Sequence, residues 1–595
     1  MNNLNVANNL LLKSLTINKE SQEEYAYFLN FQALFQEYDI LFTFERLIEI
    51  FEFVISPSDK IVNGAVYTPP YIREFIVKSC YNKLDIKSKI SDISCGCGGF
   101  LFDFAKKLKT KYGKTFYEIF KENIYGVDIT NYSIIRTKIL LSILALSKGE
   151  DIPSFKFNLF VKNSLEFNWF EEVEDIRNNN GFDIIVGNPP YVGANHIDEI
   201  SKKLLKSWSV ASIGKADLYI PFFQIGLKWL KPKGFLGYIT VNNFYRSLNG
   251  RKLRCYLNGQ DITLIDFGAE QVFKGKNTYT CICLINKRKG NMKYSKCPSS
   301  SIHLLQETDF ININYESLDN EEGWLLDNYS VKSNMSKIEN IGEKLGDKYA
   351  IRNGLATLRN EIYIFKPIKE IPRFFFLTRN GKSYKIEKSI CRNVIKPNVL
   401  KKENEIEILK EKIIFPYKEI SEADIFGNKT KKNIVITESE FTKKYPHAYN
   451  YLTEHKNELS KRDKGKKKYE NWFAFGRTQA LNIQGQKLFL PYMSNRPYFV
   501  YSSEENLLFY NGYAIISDNE KDLLFIKKIL LSNVFWYYVK HKSKPYTGGY
   551  FSLAKNYIKN FGIPDFTTQE RTQFMRLKKE SSINNFLMKK YKIII

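Results

Sequence analysis

The sequence predicts an α/β fold, a doubly wound and mostly parallel sheet over residues 61–290, followed by a separate mixed α/β domain over 346–570. Three observations carry this expectation. Short apolar runs alternate with amphipathic runs through the first region, as strands and covering helices do in a wound sheet. Two of the apolar runs end in segments built for ligands: Asp92-Ile93-Ser94-Cys95-Gly96-Cys97-Gly98-Gly99-Phe100 and Asn188-Pro189-Pro190-Tyr191. From about residue 346 the pattern changes to short aromatic-rich runs with many Asn, Gly and Lys residues.

Residues 1–60 read as a helical segment, with apolar periodicity from Phe28 to Phe53 that stops at Ser56-Pro57-Ser58. The expected strands of the sheet are 89–93, 123–127, 182–187, 235–241, 262–267 and 280–285. Helices are expected between them, among them Leu101–Lys109 and Tyr132–Ser147. Residues 291–345 are polar and read as an irregular connection, and 571–595 as a basic tail.

Composition narrows the function classes. The chain has 595 residues, and 44% hydrophobic content excludes a disordered chain. Lys+Arg exceeds Asp+Glu by 89 against 64, a net +25, which favours a polyanionic partner, nucleic acid before an anionic membrane surface. No apolar run approaches the length of a membrane span, and Met1–Glu20 lacks the basic-then-apolar order of a secretion signal, so a cytoplasmic protein without a membrane partner is expected. The eight cysteines include Cys95/Cys97 and Cys281/Cys283, each pair one residue apart, and no C-x-x-C spacing accompanies them. Reduced thiols are expected rather than a metal site.

The chemistry concentrates at strand ends. Asn188-Pro189-Pro190-Tyr191 follows the apolar run 182–187, at the carboxyl end of a strand, where open α/β sheets bind ligands. Two prolines fix the backbone and remove competing N–H donors. The turn offers two oxygen acceptors, the Asn188 side chain and the Pro189 carbonyl, beside the Tyr191 ring. That suits a planar molecule with an exocyclic amino group. The small residues of 92–100 let backbone approach a ligand, although neither the G-x-G-x-x-G dinucleotide pattern nor a P-loop is present. Asp128 ends the next strand, placed either to accept hydrogen bonds from ribose hydroxyls or to cap the following helix. Thr68-Pro69-Pro70 reads as a capped helix start with Thr68 as the cap, a group that also suits a carboxylate.

In this order, these four stretches resemble the gamma-class DNA adenine-N6 methyltransferases, TaqI-like, with a C-terminal target-recognition domain. The resemblance is specific over 61–290 and looser over 346–566. It implies a Rossmann-like methyltransferase domain that uses S-adenosylmethionine. Thr68 would bind the methionine part, Asp92, Cys95, Gly96 and Gly98 would line the methionine and ribose, and Asp128 would hold the ribose hydroxyls. Asn163 stands where the family often has an Asp that reads the cofactor adenine, a departure that puts that contact in doubt. Ile93 replaces a common proline without needing to touch the ligand. Lys215-Ala216-Asp217-Leu218-Tyr219 resembles the family's helix start after the catalytic loop. Phe273 falls where the family places an aromatic against the flipped adenine, and is otherwise a core phenylalanine.

The resemblance implies that Asn188 and Pro189 draw the adenine amine towards tetrahedral geometry while Tyr191 stacks on a base flipped from double-stranded DNA. The second domain would read sequence, with Arg477, Gln479, Asn482 and Gln484 as candidate base contacts. Lys466 and Lys467, in the charged run 461–468, either contact phosphate or belong to a solvated loop. A cognate restriction endonuclease encoded separately is an expected partner. Competing readings are a protein glutamine or RNA adenine methyltransferase, and a subunit of a combined restriction enzyme. The first 60 residues are short for a nuclease domain, and no P-D…[DE]-x-K carboxylate set is found.

Overall fold

The computed structural model describes residues 43–53, 66, 68–273, 278–423, 429–465, 468–478 and 480–595. The chain divides into two compact units, Met1–Asn328 and Tyr329–Ile595.

The first unit is organised by one nine-stranded sheet. Its strands are β1 (Ile90–Asp92), β2 (Ile124–Asp128), β3 (Asn158–Val161), β4 (Phe182–Gly187), β5 (Leu230–Val241), β6 (Gln260–Asp266), β7 (Thr280–Lys289), β8 (Met292–Lys296) and β9 (Ile311–Ile313). The helices that matter for the site are α1 (Phe44–Phe53), α2 (Pro70–Ser79), α3 (Gly99–Tyr112), α4 (Asn131–Leu146) and α5 (Tyr219–Trp229). The spatial order is β3-β2-β1-β4-β5-β7-β6-β8-β9. β1 pairs in parallel with both β2 and β4. The chain therefore winds outward from β1 in one direction, then crosses to β4 and winds in the other. That reversal opens a crevice at the carboxyl ends of β1 and β4. β7 runs antiparallel between β5 and β6, so the far half of the sheet is mixed.

Both faces are buried, and the period-two alternation of the strands explains how. Ile184 and Val186 join one apolar layer while Ile185 joins the other, and Cys281 and Cys283 face away from Ile282. The six strands expected from sequence are all present, extended or trimmed by a few residues. β3, β8 and β9 were not expected. Residues 291–328 are thus not an irregular connection, because 292–296 and 311–313 complete the sheet and pair with β6 and with each other. Their alternation of Lys and Asn with Met, Tyr and Ile marks half-buried strands, which read as polar in sequence.

The second unit begins with the helix Tyr329–Glu339. It contains a four-stranded sheet of 350–353, 513–517, 486–490 and 500–502, and another of 364–365, 411–414, 391–395 and 508–509. A three-stranded sheet, 369–371, 374–379 and 382–387, accompanies them. Residues 571–595 are not a free basic tail. They form most of the helices Thr568–Arg576 and Glu580–Tyr591. Leu587 and Tyr591, one turn apart, are buried, and the Tyr591 hydroxyl donates to the Gly562 carbonyl at 2.7 Å.

α3 depends on Gly98, which has φ +84° and would place a Cβ 2.6 Å from Thr137 Cγ2 on α4. Gly98→Ala therefore forces both a left-handed backbone and an overlap. It is expected to cost roughly 1–3 kcal/mol, read as a lowered denaturation midpoint of the first unit.

Candidate functional site

The crevice at the sheet's reversal holds a cavity of about 160 Å³. Thr68, Asp92, Cys95, Gly96, Asp128, Asn163, Asn188 and Pro190 line it, all residues singled out from sequence. Strand register brings them together. Asp92 is the last residue of β1 and pairs with Gly126 on one side and Val186 on the other. Asp128 and Asn188 lie two residues further along each neighbour. Gly187 (φ +152°) permits the approach, because a Cβ there would lie 2.7 Å from Asp92 Oδ1.

Asn188 has a defined orientation. Its Nδ2 donates to the Val66 carbonyl and to Thr68 Oγ1, each at 3.1 Å. Both donor positions are used inside the protein. Its Oδ1 is buried and has no partner among the described residues. Buried polar atoms are nearly always satisfied, so an orphan acceptor in a cavity marks a position where a ligand donor fits.

The bracing segment is itself braced. Arg73, on α2, is buried and donates to the Thr68 carbonyl at 2.8 Å, while its other nitrogens reach Glu45 on α1 at 2.7 Å and Asp103 on α3 at 3.0 Å. Thr68 is not the cap of α2. The helix begins at Pro70, Pro69 takes the capping position, and no side chain caps it. The Thr68 hydroxyl is engaged with Asn188 instead.

Asp128 does not cap α4 either. Thr130 occupies that position. Asp128 Oδ1 accepts from the Thr130 amide at 2.9 Å and the Thr130 hydroxyl at 2.7 Å, and its Oδ2 accepts from the Gly96 amide at 3.0 Å. Asp92 Oδ1 accepts from the Ser94 amide at 3.0 Å. Burial pushes the Asp92 carboxyl up to about 8, against the Ser94 bond, with Asp128 and Glu52 adding to the rise. Asp128 and Glu52 are raised for the same first reason, burial. Asn163 Oδ1 accepts from the Leu165 amide at 3.0 Å.

Tyr191 and Phe273 are brought together but do not line this cavity. Their ring centroids are 5.7 Å apart, tilted by 58°. Phe273 is only 2% exposed and belongs to the core, and the Tyr191 hydroxyl is buried without a partner among the described residues. Pro189 is buried, and Gly98 serves the start of α3 rather than the cavity surface.

Among the candidate base readers, Arg477 is engaged with Asp463 through two bonds, at 2.8 and 3.0 Å. Asn482 Oδ1 accepts from the Asn433 amide at 2.7 Å, and exposed Gln484 lies 3.5 Å from Glu419. Lys466, Lys467 and Gln479 lie outside the described residues. The remaining cavity residues include three that sequence reading did not single out: Glu52, Arg73 and Phe222. Only the amphipathic run of α1 hints at the first. Nothing local marks the other two.

Residues 122–273, which hold Asp128, Asn163, Asn188–Tyr191 and Phe273, match the family described as Eco57I restriction-modification methylase. The segment is thus similar to the restriction-modification methylases. The chain is 27% identical to the type II restriction enzyme and methyltransferase RM.Eco57I of Escherichia coli, over 92% of this chain and 61% of that relative. It is thus similar to about three fifths of a longer protein. It is also 24% identical to the type II methyltransferase M.BanIII of Aneurinibacillus aneurinilyticus, over 84% of this chain and 90% of the relative. Among solved structures, the type IIL restriction-modification enzyme MmeI in complex with DNA superposes with a TM-score of 0.58 at 12% identity, covering 93% of this chain and 78% of that one, a likeness of fold.

The raised carboxyls set a pH dependence in the ligand-free protein. Between the ordinary carboxyl value and about 8, the folded state holds a proton on Asp92 that the unfolded chain has released, so stability falls as pH rises through that window. Asp92→Asn keeps an acceptor for the Ser94 amide and removes the titration. Its melting temperature is expected to exceed the parent's by a margin that grows from pH 5 to pH 8.5, measured by calorimetry without ligand.

Proposed function

We propose that this chain is an S-adenosylmethionine-dependent methyltransferase that modifies N6 of adenine in double-stranded DNA, as the modification arm of a restriction-modification system acting in the cytoplasm. The observation that carries the reading is the Asn188 amide, whose two donors are spent on Val66 and Thr68 while its oxygen stays free. An acceptor so fixed suits the hydrogens of an exocyclic amine.

The cavity fits the cofactor. Carboxylates surround a loop of small residues, and burial raises Asp92, Asp128 and Glu52, so a cationic ligand with hydroxyl donors would relieve them. Bound there, S-adenosylmethionine supplies a methyl group already activated for transfer. Thr68, Asp92, Cys95, Gly96 and Asp128 would hold it, and Asn163 would offer its base an amide in place of the usual carboxylate. Asn188 Oδ1 accepts one hydrogen of the adenine amine and the Pro189 carbonyl accepts the other. The nitrogen lone pair is thereby withdrawn from conjugation and aligned for in-line attack. Tyr191 stacks on the flipped base, taking up the face that now meets Phe273, and stacking of about 1–3 kcal/mol offsets much of the unstacking cost.

The net charge of +25 supports a polyanionic substrate. In the second unit, Arg477 would exchange Asp463 for a base, while Lys466, Lys467 and Gln479 complete the assigned contacts. The length of RM.Eco57I favours a second reading, in which the chain is the methylating part of a combined restriction enzyme. A nuclease polypeptide that copurifies with the chain and cleaves unmethylated DNA with magnesium would support that reading, whereas a chain that purifies alone favours a separately encoded endonuclease as the partner.

Expression in a bacterium lacking DNA methylation, followed by sequencing sensitive to N6-methyladenine, should reveal one DNA motif methylated throughout. Unmodified DNA beside soluble, cofactor-binding protein would refute the DNA reading. Asn188→Ala should lower the transfer rate about a hundredfold or more while leaving cofactor affinity largely intact, measured by single-turnover transfer and calorimetric titration. A parallel loss of cofactor binding would show that Asn188 only supports the pocket.

A further inference from the structure

One wall of the cavity comes from outside the sheet. α1 contributes Ile48 and, one turn later, Glu52. Glu52 Oε1 accepts from the Cys97 amide at 3.1 Å, and the preceding amide, of Gly96, donates to Asp128 Oδ2. Two carboxylates from two different elements thus take successive amides of the same loop. α1 is fastened at both ends, by the Arg73–Glu45 ion pair and by Arg136 Nη1, which donates to the Phe51 carbonyl at 2.8 Å. Glu52 therefore stands on a held element rather than on a loose one.

Acceptor capacity shows why a second carboxylate matters. A carboxylate offers about four lone-pair positions. Asp128 gives two to Thr130 and one to Gly96, and the Ser133 hydroxyl competes with a ligand for the last. A ribose presents two vicinal hydroxyl donors. Glu52, bonded to the amide and the thiol of Cys97, keeps two positions and so has the capacity that Asp128 lacks.

We infer that Glu52 is a cofactor-binding residue: held on the Cys97 amide, its carboxylate accepts a hydrogen bond from one hydroxyl of the cofactor's ribose, so that Glu52 and Asp128 divide the diol between them. This rests on the reading of the cavity as an S-adenosylmethionine site. Burial raises Glu52 in the ligand-free protein, with the neighbouring Asp128 adding to the rise, as expected where a donor from the ligand completes the arrangement.

The test is a calorimetric binding cycle on the full chain. Parent and Glu52→Gln are titrated with S-adenosylmethionine, with S-adenosylhomocysteine, and with the 2′-deoxy and 3′-deoxy forms of the latter. Glu52→Gln keeps a carbonyl for the Cys97 amide, so the ligand-free melting temperature should hold or rise. Affinity for both natural ligands should fall about tenfold, the loss being alike because they share the ribose. With one of the two deoxy ligands the substitution should cost almost nothing further, because the contact is already gone. Equal affinities of parent and variant, or losses that simply add with both deoxy ligands, would overturn the inference and leave the methyltransferase reading standing. A parent chain that binds neither natural ligand would overturn both. Should Glu52→Gln fail to fold, Glu52→Asp carries the same cycle.

Discussion

The Asn188 side chain is the constraint around which the first unit is arranged. An amide can present either its oxygen or its nitrogen to a cavity, and here the choice is made by two acceptors, the Val66 carbonyl and Thr68 Oγ1. Arg73 secures Thr68 by holding its carbonyl, and Glu45 and Asp103 hold Arg73 in turn. Three helices thus converge on the orientation of one amide. The sheet supplies the other half of the geometry. Parallel pairing of β1 with β2 and β4 sets Asp92, Asp128 and Asn188 around one crevice, and Gly187 leaves room for Asp92 beside the strand end.

That arrangement costs stability in the ligand-free protein. An orphan acceptor and carboxyls lifted by burial are unfavourable unless a ligand satisfies them. The same features concentrate binding energy at the site: donors that meet Asn188 Oδ1 and cationic or hydroxyl groups that meet the acidic loop gain contacts water does not provide there. Stability and ligand recognition are therefore opposed at these residues, as is common where a cavity is pre-formed.

Much of this was legible in the sequence because strand ends carry local signals. Apolar runs of five to seven residues gave β1, β2 and β4–β7, and the residues just beyond them gave Asp92, Asp128 and Asn188. β3 escaped because it is four residues long with only Leu159 buried, and β8 and β9 escaped because their outward positions are polar. The helix expected to be capped by Thr68 starts one residue later, at Pro70, and the threonine hydroxyl is engaged with Asn188, 120 residues away in sequence. Arg73 and Glu52 were not legible for the same reason: their partners are distant along the chain and no short motif encodes them. In the second unit, Arg477 stood out by residue type, but its pairing with Asp463 is a tertiary fact.

On this geometry Thr68 acts on transfer through the Asn188 amide. The direct measurement is the single-turnover rate of methyl transfer to DNA at saturating S-adenosylmethionine for Thr68→Val, with Thr68→Ser as control. Valine removes the hydroxyl acceptor at nearly constant volume, and serine retains it. The rate should fall about tenfold or more in the valine variant and stay close to the parent in the serine variant, even when cofactor is saturating. A valine variant that transfers at the parental rate once cofactor is saturating would contradict it.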